Sequence, residues 1–240
     1  VSLSTRRIRA ILTKELREYR RNRNLIVAMA VYPFIFMVQP LIAVFAVHGA
    51  AAAALAGRHE LLFMLGIPIL VPATLAAFAV AGERQQETLE PILESPITRE
   101  EFLLGKAFAV FVPAVAIAYL VFALYIAIIQ LFAEPAVAAS VIDTGDIVAQ
   151  IIFTPLLAAW SIWVGIAVST RTSDARVAQQ LSVLSSLPLL LVTIAIAFGV
   201  IEPSLELAVI LGAVLLIGDA LAFRVIAPLI DRERLVSGPH

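Results

Sequence analysis

Residues 61–107 read LLFMLGIPILVPATLAAFAVAGERQQETLEPILESPITREEFLLGKA, and the fold turns on how this stretch is understood. A charge-free run of 22 residues, Leu61–Gly82, opens onto Glu83–Lys106, which holds six acids and three bases. About 20 apolar residues of helix cross a hydrocarbon core of about 30 Å. The apolar run is continuous rather than alternating. That points to a helix whose backbone polar groups are satisfied internally, and away from a membrane β-barrel strand.

Working outward, four further charge-free runs are long enough to span: Leu25–Val47, Ala107–Leu131, Ile147–Val168 and Leu181–Ile201. A sixth, Leu207–Phe223, is shorter and carries one acid, Asp219. The whole chain agrees. It has 240 residues, 61% apolar and 15% charged, with mean hydropathy +0.99. Soluble domains run at about 45–50% apolar and about 25% charged. A net charge of −1 removes the basic surplus that nucleic-acid binding needs, and the apolar content excludes disorder. With no cysteine there are no disulfides and no thiolate metal ligands.

The predicted fold is an all-α integral membrane protein of six transmembrane helices. Sixteen of the 17 Lys and Arg fall in the N-terminal arm, the 83–106 loop, the fourth-to-fifth connection and the tail; Arg58 alone lies on the other side. The positive-inside rule then places both termini in the cytoplasm. Residues 1–24 form an amphipathic elbow helix, with Ile8, Ile11, Leu12, Leu16 and Tyr19 at helical spacing and bases on the remaining face. It either anchors topology in the headgroup layer or also touches a cytoplasmic partner. Residues 25–240 form one transmembrane domain containing the loop 83–106.

What the spans lack is informative. Ion-driven carriers keep ionisable groups at depth, yet the five longer runs have none. Asp219, near its boundary, is either a polar residue satisfied locally or a proton relay. His48, His59 and His240 all lie outside the runs, and no H-E-x-x-H occurs, which removes intramembrane zinc and Ser–His chemistry. Gly105-Lys106 is followed by Ala107 and has Glu100 where a phosphate-binding loop needs its first Gly, so no ATP site is expected. Gln39, Thr74, Ser185, Ser186 and Thr193 are the candidate substrate path, alongside Tyr119 and Thr154; such sparse hydroxyls suit an amphipathic cargo better than a bare ion. Pro33, Pro40, Pro68, Pro72, Pro113, Pro155 and Pro188 predict kinks, static or hinged. Ser161, Gly165 and Ser169 make a small-residue ridge suited to close packing. Tyr125, Trp160 and Trp163 read as packing or interface aromatics.

In the loop, Pro91 and Pro96 impose a turn, and Thr98 with Glu101 reads as a capping box with Ile97 and Phe102 as its staple. Lys106 is expected to snorkel at the boundary. A rigid helix pair of this kind can transmit a push; a plain connector has no need of these devices.

Glu83-Arg84, Glu87-Thr88-Leu89-Glu90, Ile92-Leu93, Ser95-Pro96-Ile97-Thr98 and Leu104-Gly105-Lys106 resemble the signature of ABC-2-type permeases, the six-span membrane subunits of ATP-binding-cassette exporters. Glu87 stands where that family often has Gly. The resemblance implies two cytoplasmic ATP-binding subunits that bind ATP and Mg, a second permease subunit forming a homo- or heterodimer, and alternating access in a prokaryotic inner membrane. No cofactor is expected in this chain. The loop would be the coupling element. Glu83, Arg84, Glu87 and Glu90 would make polar contacts with the ATPase, and Leu89, Ile92 and Leu93 would seat its apolar groove. Pro96 and Gly105 would set geometry, with Thr88, Ser95 and Lys106 completing the motif. A partner-free channel or carrier, and a scaffold recruiting a cytoplasmic protein, are the alternatives.

Overall fold

The computed structural model describes residues 3–46, 58–85 and 97–227. The elements are α1 (Thr5–Tyr19), α2 (Arg23–Phe45), a 3₁₀ segment (Glu60–Leu65), α3 (Gly66–Ala76), α4 (Phe78–Gln85), α5 (Arg99–Phe132), α6 (Pro135–Val141), α7 (Thr144–Arg171), α8 (Ala175–Ala197) and α9 (Leu205–Ile226). No strand occurs among the described residues. Six stretches among them are long and apolar enough to cross a membrane: Leu25–Phe45, Glu60–Glu83, Arg99–Phe132, Thr144–Arg171, Ala175–Ala197 and Leu205–Ile226.

Each expected span is present, with boundaries that hydropathy alone misplaces. The third was expected at Ala107–Leu131, but α5 starts at Arg99, because Thr98 caps it through the Glu101 amide while Glu101 returns to the Thr98 amide. The fifth starts before Leu181, at Ala175, where the Asp174 carboxylate accepts from the Arg176 and Val177 amides. It stops at Ala197 rather than Ile201. Gly199, at φ 70°, allows Gly199 N–H to reach the Ile196 carbonyl and Val200 N–H the Ala195 carbonyl, a Schellman closure. Caps fix helix ends; apolar runs mark only the part that suits lipid.

The second span corrects the expectation of one continuous helix. It is a 3₁₀ turn, then α3, then α4, with the helix interrupted at Ala77. This span is the centre of the bundle: 89% of its most apolar window is buried, against 11% for the sixth span. It packs on α2, α5, α7 and α8. Close approach explains its small residues. A Cβ on Gly165 would lie 2.6 Å from Ala76 Cβ and 3.1 Å from the Ala73 carbonyl oxygen, so the Ser161–Gly165–Ser169 ridge of α7 is an internal packing surface. Gly66 is likewise covered by the Phe36 ring.

Prolines lie inside α2 (Pro33, Pro40), α3 (Pro72), α5 (Pro113), α7 (Pro155) and α8 (Pro188). Pro155 cannot donate to the carbonyl of Ile151, four residues earlier. Tyr119 of α5 supplies that donor, its hydroxyl 2.7 Å from the Ile151 oxygen. Tyr119 is thus a repair to the α7 backbone. The aromatics Trp163 and Phe223 meet edge-on at 5.8 Å, and Trp160 covers Gly218, joining α7 to α9.

Three substitutions have expected outcomes in thermal unfolding of detergent-solubilised protein. Gly165→Val should destabilise by about 1–3 kcal/mol through overpacking. Gly212→Ala, where an added Cβ meets nothing within 4 Å, should be neutral or stabilising by about 0.5–1 kcal/mol. Tyr119→Phe should cost about 1 kcal/mol, and a double-mutant cycle with Pro155→Ala should erase most of that cost, because the restored amide can serve Ile151 itself.

Candidate functional site

The site is built at the end of the bundle where α1, the end of α4 and the start of α5 meet. In α1 the stripe that faces the bundle is Ile11, Glu15 and Tyr19, all buried. An acid in the middle of an apolar stripe must find a cation. Gly105, in the second turn of α5, lets Ile11 approach so closely that a Cβ there would sit 2.7 Å from Ile11 Cβ. Glu101 holds the other end of α1. Beyond its cap bond, it accepts from the Ser4 backbone N–H at 2.8 Å and from Arg7 Nη1 at 3.3 Å. Phe102 is buried, and Ile97 packs on the same apolar cluster.

Four charges close the junction. Lys106 Nζ lies 2.7 Å from Glu15 Oε1 and 2.5 Å from Glu83 Oε1. Lys14 Nζ donates to Glu83 Oε1 at 2.5 Å, and reaches Glu15 Oε1 at 3.3 Å and Glu18 Oε1 at 3.1 Å. Glu15 and Glu83 are 3% exposed and Lys106 is 2% exposed, so three members are out of water. Lys106 also stands 5.5 Å from the Phe102 ring centroid. It does not snorkel, as expected from its place at a span boundary; it turns inward because Glu15 and Glu83 offer a buried countercharge. Burial pulls the Lys14 ammonium toward neutrality, but its hydrogen bond to Glu83 and the charges of Glu15 and Glu83 outweigh this and raise its pKa above the usual 10.5. A cavity of 440 Å³ opens beside the cluster, lined by Glu18, Arg21, Arg23 and Phe78 among others.

Of the expected coupling residues, the structure brings together Glu83, Gly105 and Lys106. Arg84 lies in α4. Glu87, Thr88, Leu89, Glu90, Ile92, Leu93, Ser95 and Pro96 lie outside the described residues. Glu83, expected to face a partner, is directed inward and serves as an internal brace. Lys14 and Glu15 are members that sequence reasoning missed, although Glu15 falls in register with Ile11 and Tyr19 at i, i+4 spacing and could have been flagged by that. The grouping of Glu15, Glu18 and Glu83 has metal-like spacing, but both lysines already occupy it.

The expected substrate-path residues do not converge. Thr74 donates to the Val71 carbonyl, Ser186 to Ser182 and Thr193 to Leu190, each back onto its own helix. Ser185 is exposed. Thr193 lines an apolar cavity of 80 Å³ with Phe153, Leu157 and Leu211. Gln39 lies apart from these, facing Glu60. Glu60 is a second missed acid: the charge-free reading of the span stopped one residue short of it, yet it begins the 3₁₀ segment and is 1% exposed. Arg58 stands 3.9 Å away. Nearby, His59 Nδ1 and Asp146 Oδ1 are 2.8 Å apart, joining the second and fourth spans at this opposite end.

The raised Lys14 sets a pH expectation. Its contribution to α1 docking is complete below 10.5 and is lost only as pH rises through the higher folded value. Hydrogen exchange of the α1 amides, corrected for intrinsic rate, should therefore show unchanged protection from about pH 6 to 9 and a loss only at stronger alkali.

Comparison with curated proteins returns no match. The family profile described as ABC-2 family transporter protein matches residues 9–230, from the first turns of α1 to beyond the end of α9. The match takes in the junction and all six spans together, and on that extent the chain belongs to the ABC-2 transporter family: it is a multi-pass membrane transport protein.

Proposed function

We propose that this chain is the permease half of an ATP-driven exporter, with ATP hydrolysed by a separate cytoplasmic subunit and transmitted through the 83–106 segment. The observation that carries this reading is the buried cluster of Lys14, Glu15, Glu83 and Lys106. It ties both stems of that segment, the end of α4 and the start of α5, to each other and to α1. A force applied to the segment then moves two spans and the amphipathic helix as one body. No phosphate-binding loop occurs in these 240 residues, which supports a source of force outside them. Two ATP-binding subunits carrying ATP and Mg, a second permease copy, cytoplasmic termini in a prokaryotic inner membrane, and alternating access complete the proposal. Glu87 and Glu90 are the acids assigned to the ATPase surface, with Leu89, Ile92 and Leu93 as the apolar seat. Glu83 and Lys106 pass the displacement inward.

The test is reconstitution of the full complex in vesicles, with ATP turnover and transport measured together. Glu90→Lys should lower substrate-stimulated turnover about fivefold or more with assembly of the permease unchanged. Glu83→Ala should instead act on folding, because it leaves the buried Lys106 ammonium with Glu15 as its one remaining carboxylate and should lower stability by up to about 3–5 kcal/mol. The neutral pair Glu83→Met with Lys106→Met should fold but couple poorly, having lost the tie between the stems. Transport by the chain alone, without any ATPase, would overturn the assignment.

A further inference from the structure

Between the interrupted second span and the charged junction lies α4, a segment of eight residues. Near its outer end stands Glu83, held in the cluster described above. Its inner end is the break at Ala77, and there a single side chain from another span takes over. Ser169 of α7 is 0% exposed, and its hydroxyl accepts from the Val80 N–H at 3.0 Å and the Ala81 N–H at 2.9 Å while donating to the Ala77 carbonyl at 2.7 Å. One oxygen thus uses its two lone pairs and its proton on three backbone groups around the break. One turn earlier in α7, Gly165 sits against Ala73 and Ala76, so α3 is seated on the same ridge. On the side that faces α8, Ala77 and Ala81 pack with Ala175 and Ala178, and Phe78 and Val168 are packed against the same small cluster. Between α4 and α7 the polar tie is one rotatable hydroxyl, whose three hydrogen bonds can be exchanged.

We propose that Ala77 is a hinge in the second span and that Ser169 is its latch, the positioning residue through which movement of α4 reaches the fourth span. When the junction at Glu83 and Lys106 is displaced, α4 swings about Ala77, the Val80 and Ala81 amides leave the hydroxyl, and α7 is released from the lower half of the second span. When the junction returns, the same three hydrogen bonds re-form and restore the register of the two spans. This assignment deepens the coupling reading above and rests on it for its place in transport, while the hinge itself is a property of this chain.

The absence of cysteine makes the hinge measurable, since introduced cysteines label cleanly. Spin labels at Gln85→Cys and Arg171→Cys, both exposed positions at the ends of α4 and α7, report the distance between them. In detergent or nanodiscs the otherwise unaltered chain should give one narrow distance, and Ser169→Ala should broaden or shift it. In the full complex, Ser169→Ala should lower substrate moved per ATP hydrolysed by about fivefold or more. A purely structural serine would lower thermal stability yet leave both the distance distribution and the ratio of transport to hydrolysis unchanged, and that result would overturn the proposal. A changed distance in a chain that proves to have no ATPase partner would keep the hinge and discard the coupling reading. If Ser169→Ala fails to assemble, hydrogen exchange of the unaltered complex decides. Val80 and Ala81 amides should exchange faster in the ATP-vanadate-trapped complex than without nucleotide, and equal protection in the two states would reject the latch.

Discussion

Removing charge from water is the constraint around which the junction is organised. A carboxylate or ammonium taken out of water is costly unless an opposite charge and good hydrogen bonds accompany it. Glu15, Glu83 and Lys106 are all buried, and with Lys14 they form two positive and two negative groups whose separations run from 2.5 to 3.3 Å. Such a set gives little net stability over apolar packing, but it is intolerant of partial assembly. With Glu83 displaced, the buried Lys106 keeps one of its two carboxylates, so moving one piece of chain weakens the hold on the others. Three separate pieces of chain are tied together at this point, and the proposed relay would act through that tie.

The rest of the bundle is arranged so that the relay has something to act on. The second span is the most buried helix and the most interrupted one. At Ala77 a neighbouring helix compensates with a specific polar group rather than with bulk. Ser169 serves the break at Ala77, and the same economy appears where Tyr119 serves the carbonyl freed by Pro155. In lipid no water can fill such gaps, so the donor must come from a facing helix. These contacts are strong enough to define a register and few enough to be exchanged. At the opposite end, the His59–Asp146 pair and the His59 N–H to the Ala197 carbonyl, 3.0 Å, tie the second span to the fourth and fifth. The proposed movement would thereby be concentrated at the α1 end.

The amphipathic helix changes meaning in this setting. Its basic face and apolar stripe suit a membrane surface, but its docked face contains Glu15, and its start is pinned by Glu101 through Ser4 and Arg7. Glu15 reaches Lys106 of α5, and Glu101 of α5 reaches back to Ser4 and Arg7. The helix is clamped to the stems of the 83–106 segment as well as being amphipathic, so a displacement of the proposed coupling segment would also reach α1.

Composition and local chemistry determined a good deal by themselves. The six spans followed from apolar runs that no soluble core could bury. The start of α5 followed from Thr98 and Glu101, because a capping box is settled within four residues, and the close packing of Gly165 followed from small residues at i, i+4 spacing. Only the tertiary structure decided where charges go. Lys106 looked like a snorkelling residue because its destination, Glu15, lies far away in sequence on another helix. Glu60 and Glu83 looked like loop acids because burial is a property of neighbours, not of the residue. The interruption at Ala77 left no local signal, since its stabilising group is a serine on a different span. Helix, span and cap are short-range and can be read in order; which polar group satisfies which is a long-range question that folding alone answers.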